Sequence, residues 1–219
     1  MIRFSEVKES EKIKTYIQKA DDTLAVKGFT DHGFAHVTKV AIEAGEILRI
    51  MGYSAREAEL AEIAGYLHDI GNVVNRTAHA QTGALLAFQF LTELGASPED
   101  TATIITAIGN HDEGTSSPVS AICAAVILAD KGDVRASRVR NRDVKTFDIH
   151  DRVNYAVKKA GLVVCDGKEE INLNLTIDTE YCAVMDYFEI FLTRMTLCRR
   201  AAAMLGLRFT LTINGQRLL

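Results

Sequence analysis

The chain has 219 residues, of which 47% are hydrophobic and 25% are charged, and its formal net charge is −4 at pH 7. This balance is typical of a folded soluble protein and excludes disorder and collagen-like structure. Because a domain usually has about 100 to 150 residues, we expect one large domain or a core with an appendage. The acidic balance disfavours long nucleic acids and membranes as partners.

The amino-terminal stretch carries charges throughout and lacks the apolar run of a signal peptide or a membrane span. These features predict a cytoplasmic protein. The cysteines include no Cys-x-x-Cys pair, which predicts buried thiols in place of disulfides or a thiolate metal site. They are Cys123, Cys165, Cys182 and Cys198.

Apolar residues recur at helical spacing from the start of the chain to about residue 160. This pattern predicts helices near residues 5–19, 32–51, 54–70, 79–94, 98–110, 118–131 and 148–160. Ser54 and Glu57 match a capping box at one helix start. Ser97-Pro98 and Ser117-Pro118 each predict a hydroxyl cap followed by a proline in the first helical turn.

The last part of the chain changes to the period of two that is typical of strands. The elements predicted there are strands over 162–165, 171–177 and 209–213, a turn at Asp166-Gly167-Lys168, and a helix over 179–205. A sheet this small needs a partner for its apolar face. The sequence therefore predicts a mainly α protein, with a helical core over 1–160 and a β-β-α-β subdomain over 161–219 that packs on it.

The most informative segment is Leu67-His68-Asp69-Ile70-Gly71, in which an apolar helix ends in adjacent histidine and aspartate. A core histidine and a capping aspartate would explain this dipeptide alone. However, further polar residues begin or end apolar helices, namely His36, His79, His111 and Asp130. Together these helices can project six side chains into one bundle interior, as a carboxylate-bridged metal site requires.

The order His36, His68-Asp69, Asp130 resembles the HD superfamily of metal-dependent phosphohydrolases, over about residues 30 to 135. The resemblance implies a helical HD-domain-like bundle and a hydrolase acting on phosphate ester or anhydride bonds. The segments 79–86 and 105–114 resemble the branches of that superfamily that hold two metals. The run 107–132 is most similar to bacterial diadenosine-tetraphosphate hydrolases.

The resemblance also implies roles for these side chains. A first metal would be held by His36, His68, Asp69 and Asp130, and a second by Asp69, His79 and His111. Asp69 would be the catalytic residue, bridging the metals and orienting the attacking hydroxide. Histidine-rich shells without thiolate suit Fe, Mn, Co, Ni or Zn, so one or two divalent transition metal ions are the expected cofactor.

Three departures from the cyclic-dinucleotide (HD-GYP) branch matter. Asn72 stands where those relatives have lysine, Asn110 replaces one of two paired histidines, and Thr115-Ser116-Ser117-Pro118 lacks the Gly-Tyr-Pro motif. A cyclic-dinucleotide role is therefore disfavoured. The same losses leave open a centre with a single metal.

Five residues are candidate contacts to the substrate: His32, Asn72, Asn110, Lys131 and Arg135. Three of them, His32, Lys131 and Arg135, also have an alternative explanation. His32 can be an exposed histidine at a helix entry, and residues 131–142 can be a solvated basic stretch balanced by Asp133 and Asp143. The aromatic residues of the last long helix, Phe191 among them, are expected in the core.

We therefore expect a small phosphorylated substrate, a nucleotide, with a dinucleoside polyphosphate as the sharpest hypothesis. The first alternative is a single-metal phosphohydrolase of nucleoside monophosphates or cyclic nucleotides. The second is a metal-binding regulatory module that has lost catalysis and uses its β-containing tail as a partner surface. The sequence leaves the oligomeric state open, a homo-oligomer included.

Overall fold

The computed structural model describes residues 1–113, 117–165 and 167–219. The helices are α1 (Phe4–Glu9), α2 (Glu11–Val26), α3 (Phe34–Ile50), α4 (Ala55–Leu67), α5 (His79–Glu93), α6 (Pro98–Gly109), α7 (Ala121–Gly132), α8 (Ile149–Ala156) and α9 (Val184–Met204). The strands are β1 (Val157–Val164), β2 (Glu170–Ile177), β3 (Arg208–Ile213) and β4 (Gln216–Arg217). Short 3₁₀ turns occupy Ile70–Val73, Ala136–Arg138 and Val144–Thr146. The mainly α architecture with a small C-terminal sheet is confirmed.

The core is built around α7. Residues 122–129 are all buried, so this helix is apolar on every side, as a central helix must be. It packs against α3, α4, α6 and α9. Helices α3 and α4 approach each other closely because Gly65 lies against the backbone of Ala41, where an added Cβ would be 3.0 Å from the Ala41 Cα. The ends of these helices therefore meet at one end of the core.

Two of the predicted helix starts are confirmed by their capping geometry. The Ser54 hydroxyl accepts from the Glu57 amide while the Glu57 carboxylate accepts from the Ser54 amide, which is the capping box. Ser97 accepts from the Asp100 amide and is followed by Pro98. The prediction at Ser117-Pro118 is wrong. Helix α7 begins only at Ala121, because Ser120 is the hydroxyl that caps it.

Three other boundaries differ from the prediction. The first helix is two helices, since Ser10 leaves helical geometry and caps α2. Helix α8 ends at Ala156 because the chain enters β1 at Val157, where it pairs with β2. The last helix begins at Val184, later than predicted. The predicted turn after β1 includes Asp166, which lies outside the described residues.

The four strands lie in the order β1-β2-β3-β4. Strands β1 and β2 form an antiparallel hairpin, whereas β2 and β3 are parallel and α9 is the crossover between them. One face of β2 is buried, and Leu162 and Leu173 of the sheet lie beside Gly132 of α7. Strand β1 begins at Val157, so the sheet starts four residues before position 161. The division into domains at 160/161 stays a prediction.

The structure also shows where the cysteines lie and how apolar its helices are. Cys123, Cys182 and Cys198 are buried free thiols, and Cys165 is half-buried. Within the described part of the chain, no helix has both the length and the hydropathy of a membrane span.

Candidate metal centre

Six polar side chains meet at the end of the helical core. His36 lies in the first turn of α3, His68 and Asp69 directly follow α4, His79 begins α5, His111 follows α6, and Asp130 lies in the last turn of α7. The four histidines are almost fully buried, and Asp69 is 5% exposed. Burying so many polar groups in one place is costly unless they are paired or hold a metal. The cluster is the one that the sequence predicted.

His36, His68 and Asp130 form the first group that could hold a metal ion. The Nε2 atom of His36 lies 3.3 Å from Oδ1 of Asp130, and Nε2 of His68 lies 3.7 Å from the same oxygen. Oδ2 of Asp69 lies 3.1 Å from His68 Nε2. One ligand atom from each residue of the group falls within 4.8 Å of the others, which is a separation that one cation can span.

Asp69 connects this group to the remaining histidines. While Oδ2 faces His36 and His68, Oδ1 lies 3.4 Å from Nε2 of His79. His68, Asp69 and His111 form the second group that could hold a metal. The two carboxylate oxygens of Asp69 thus point toward different halves of the cluster, which is the arrangement of a bridging ligand.

The hydrogen bonds of the four buried histidines determine which ring nitrogen is free. Each Nδ1 atom faces an acceptor: Asp133 Oδ2 at 2.8 Å from His36, and the carbonyl oxygens of Gly65, Arg76 and Ile108 at 2.7, 3.0 and 2.7 Å from His68, His79 and His111. Because a carbonyl or carboxylate oxygen accepts, each Nδ1 donates its hydrogen, and the lone pair of the neutral ring lies on Nε2. Hydrogen-bonded Nδ1 and free Nε2 are usual for histidines that bind metals.

The Nε2 atoms give a test of whether a cation fits. Nε2 of His36 and Nε2 of His68 are buried and have no hydrogen bond of acceptable geometry within the described residues. The Nε2 atoms of His79 and His111 lie 3.2 Å apart. Because Nδ1 donates in both rings and burial lowers the pKa of each, the neutral rings turn their lone pairs toward each other. Arg76 Nη1 lies 3.4 Å from His79 Nε2 and is a long hydrogen-bond donor to it. A bound cation satisfies all of these nitrogens, so the residues fit a metal.

The charges of the cluster reinforce one another. Burial opposes ionisation of His68, but the Asp69 and Asp130 carboxylates raise its pKa to about 10. A proton on Nε2 then stands where a metal would bind, and metal binding would release it. Conversely, burial would raise the pKa of Asp69 and Asp130, yet neighbouring cationic groups, His68 beside Asp69 and Lys131 beside Asp130, hold both values well below normal. Both carboxylates are therefore ionised and available as ligands at neutral pH.

Residues around the cluster hold it in place. Asn72 is buried and donates to the Asp69 carbonyl and to Asp69 Oδ1, at 2.9 and 2.8 Å. Its amide therefore fixes the proposed bridging carboxylate, whereas the sequence suggested a substrate contact. Gly71 lies so close to α5 that an added Cβ would be 2.5 Å from the amide nitrogen of Gly83. Only glycine lets the 3₁₀ turn approach the start of α5.

A cavity of about 310 Å³ opens above the cluster, and Asp69, His79, His111 and Asp130 form its floor. Two of the five residues predicted to contact substrate, His32 and Lys131, line it. Asn72, Asn110 and Arg135 are not among the described residues that line it. The Asn110 amide donates to the Thr106 carbonyl, and Arg135 pairs with Asp133.

Two cationic residues of the stretch 131–142, Lys131 and Arg138, are buried, so the alternative of a solvated basic stretch is wrong at these positions. Arg135 and Arg140 are partly exposed, and Arg142 is exposed. Lys131 is 3% exposed and pairs with Asp130 and Glu113, while Arg138 is 6% exposed and donates to the Asp31 and Asp133 carbonyls. Asp133 is 1% exposed. These buried charges have fixed partners, since Asp133 accepts from His36 and Arg138 donates to the Asp31 carbonyl.

Sequence reasoning missed three arginines of the cavity and one buried aspartate. The arginines that line the cavity are Arg76, Arg138 and Arg194. The buried aspartate is Asp133, which accepts a hydrogen bond from Nδ1 of His36. Arg76 and Arg194 lie outside any helix-end pattern, so no signal in the sequence marks them. A sequence pattern did mark Asp133: it directly follows the apolar helix α7 and lies three residues, about one helical turn, after Asp130.

Comparison with known proteins agrees with this geometry. Among curated proteins, the uncharacterized protein MJ1020 of Methanocaldococcus jannaschii is 26% identical over 171 residues, covering 67% of this chain. The chain spans 65% of the length of that relative. The family model described as HD domain matches residues 33–153, which is more than half of the chain. The chain therefore belongs to the HD domain family, whose members are in general metal-binding hydrolases.

Proposed function

We propose that this protein is a metal-dependent phosphohydrolase that cleaves a phosphate ester or anhydride of a small phosphorylated metabolite. The observation that carries the proposal is the buried cluster of four histidines and two aspartates whose free Nε2 atoms and carboxylates converge under an open cavity. The family supports the same class, since its members are generally hydrolases that bind divalent metals.

The six side chains divide naturally into two sets of ligands. His36, His68, Asp130 and Oδ2 of Asp69 would hold one ion, and Oδ1 of Asp69 with His79 and His111 a second. Imidazole and carboxylate ligands without thiolate favour Fe, Mn, Co, Ni or Zn. When bound, such ions supply Lewis-acid neutralisation of phosphoryl charge and a more acidic water.

The chain itself supplies orientation and charge. Asp69 stays ionised at neutral pH, so it can accept a hydrogen bond from the attacking water and orient it. Arg76 lies at the edge of the cluster, with Nη1 3.4 Å from Asp69 Oδ1, and its guanidinium is suited to phosphoryl oxygens. His32 donates from Nδ1 to the Thr30 carbonyl at 2.6 Å, so in the neutral ring its Nε2 can accept from a substrate hydroxyl.

The size of the cavity bears on the substrate. Pockets for small ligands usually measure about 300–1,000 Å³, and this cavity of about 310 Å³ is at the lower limit. A ligand the size of one nucleotide fits that space better than two nucleosides joined by a polyphosphate. We therefore favour a mononucleotide or another phosphorylated metabolite of that size over a dinucleoside polyphosphate.

Two alternatives remain as proposals with distinct outcomes. A single-metal nucleoside monophosphate or cyclic nucleotide phosphohydrolase would use only the set that contains His36 and Asp130. A regulatory module without catalysis would bind metal and release no phosphate from any substrate. The cavity, with Arg76 and Arg194 in its lining, favours an enzyme, because a purely structural metal site needs no space above it.

The test is phosphate release from a panel of phosphate monoesters, nucleotides, cyclic nucleotides and dinucleoside polyphosphates with Mn²⁺ or Fe²⁺. We expect turnover by the wild type and by the control Asp22→Asn, whose aspartate is exposed on α2. His68→Ala and Asp69→Ala should lose at least about a thousandfold of that activity. If the wild type hydrolyses no member of the panel with any metal, the enzyme proposal is wrong.

A further inference from the structure

The C-terminal part of the chain contributes to the cavity, although it lies beyond the segment that the family model matches, residues 33–153. Phe191 and Arg194 on α9 both line the cavity. They reach it because α9 packs along the central helix α7, whose last turn carries Asp130 and Lys131. These side chains are therefore features of this protein beyond the HD domain.

Arg194 is held in a defined orientation. Its Nε donates to Oε1 of Glu113 at 3.0 Å, and its guanidinium carbon lies 4.5 Å from the centre of the Phe191 ring. The Phe191 ring is 1% exposed and fixed in the core. An arginine that is stacked and hydrogen-bonded on one side loses little entropy when it binds an anion on the other.

The outer edge of this guanidinium is available. Within the described residues, no hydrogen bond or ion pair involves either Nη atom of Arg194, and its side chain is 26% exposed. By contrast, Lys131 is neutralised by Asp130 and Glu113, and Arg138 donates to two backbone carbonyls. Arg194 is thus a cavity cation with donors to spare.

The position of Arg194 separates it from the metal centre. Asp130 pairs with Lys131 at 2.7 Å, Lys131 pairs with Glu113 at 2.6 Å, and Glu113 accepts from Arg194. In this series of contacts, Glu113 and Lys131 lie between Arg194 and the proposed ligand Asp130. Arg76, which touches Asp69, is the cation placed beside the ligands themselves.

We propose that Arg194 is a specificity-determining residue, which binds a second anionic group that the substrate carries at a distance from the phosphate at the metal centre. This inference rests on the proposed function for its first anion. The substrate would then belong to the class of molecules that carry two separated anionic groups, for example two phosphates. Phe191 positions the guanidinium and closes the apolar wall behind it.

The test is calorimetric binding of bisphosphonates of increasing chain length, from ethane- to hexane-bisphosphonate, and of the matching monophosphonates. The full-length protein is used with and without Mn²⁺. We expect one chain length to bind the wild type about tenfold more tightly than its monophosphonate, because two charge-assisted bonds replace one. Arg194→Gln should abolish that gain, so that the bisphosphonate and its monophosphonate bind with similar affinity. Arg194→Lys should restore part of the gain.

The matched control is Arg200→Gln, which removes an exposed arginine of the same helix and should keep the gain. If no bisphosphonate binds more tightly than its monophosphonate, or if the gain persists in Arg194→Gln, the proposal is wrong. Because binding is measured without turnover, this result is separate from the hydrolysis panel. A protein that binds bisphosphonates through Arg194 and hydrolyses nothing would refute the proposed function alone.

Discussion

Oδ2 of Asp133 lies 2.8 Å from Nδ1 of His36, and both side chains are almost completely buried. The two residues are brought together by the end of α7 and the start of α3. Lys39, Arg135 and Arg138 surround the same carboxylate. Burial would raise the pKa of Asp133, but the His36 hydrogen bond and the two arginines hold it far below normal. The aspartate is therefore a fixed anion that orients His36.

We expect Asp133→Asn to weaken metal binding about 10- to 100-fold, as loss of such an outer partner of a histidine ligand usually does. The amide cannot supply the negative charge that makes the imidazole a stronger ligand. Titration calorimetry with Mn²⁺ measures the affinity, and circular dichroism checks the fold. Asp143→Asn, an exposed aspartate further along the chain, is the control. Equal affinities for the two variants would show that Asp133 has no such role.

Gly71 gives a prediction about the scaffold of the site. An added Cβ would overlap the His79 carbonyl and come within 2.5 Å of the Gly83 amide nitrogen, both of them backbone atoms that cannot rotate away. We expect Gly71→Ala to lower the free energy of unfolding by about 3 kcal/mol or more, since overpacking against backbone forces α5 outward.

Urea denaturation measures this loss, and Gly161→Ala is the control. No atom of the described residues lies within 4 Å of the position that a Cβ would take at Gly161, apart from its own chain neighbours. Substitution there should therefore change stability by less than about 1 kcal/mol. Similar losses for the two variants would contradict the close approach between the turn and α5.

The pair Arg56 and Asp100 predicts a dependence of stability on pH away from the cluster. Arg56 donates two hydrogen bonds to the Asp100 carboxylate and lowers its pKa below the usual 3.8. A depressed folded-state pKa adds stability above the unfolded-state pKa, and that contribution is lost as pH falls through the folded-state value.

We therefore expect Asp100→Asn to be less stable than the wild type by about 1 kcal/mol at pH 7, with the gap closing below about pH 4. Urea denaturation across this range measures the gap. Glu99→Gln, which removes an exposed acid from the same helical turn, controls for the helix dipole. A gap for Asp100→Asn that stays constant down to about pH 2 would contradict the ion pair.

The fold was largely predictable because its signals are local. Apolar periodicity located the helices, and the hydroxyl caps at Ser54 and Ser97 marked two of their starts correctly. The start of α7 failed because Ser117 and Ser120 are both plausible caps, and only packing selects between them. The parallel pairing of β2 with β3 was beyond the sequence, since it depends on how α9 packs as the crossover.

The candidate ligands were predictable for a related reason, because each is a polar residue that ends or begins an apolar helix. The residues that surround them were not. Arg194 lies 81 residues from Glu113, its partner, and Asn72 and Arg135 were expected at the substrate although each pairs with an aspartate elsewhere. The role of Arg194 depends on a contact distant in sequence, which no local pattern contains. Asn72 and Arg135 pair with aspartates only three and two residues away, but their residue types alone do not distinguish that pairing from a substrate contact.

The metal content of the purified chain, after loading with Mn²⁺ and gel filtration, is the most direct test of the proposed metal centre. We predict close to two ions per chain in the wild type and close to one after either His68→Ala or His79→Ala, because each substitution removes an Nε2 lone pair from one of the two ligand sets. A wild type that retains no Mn²⁺, Fe²⁺ or Zn²⁺, or one whose metal content is unchanged by His68→Ala, would contradict the claim that this buried cluster is a metal centre.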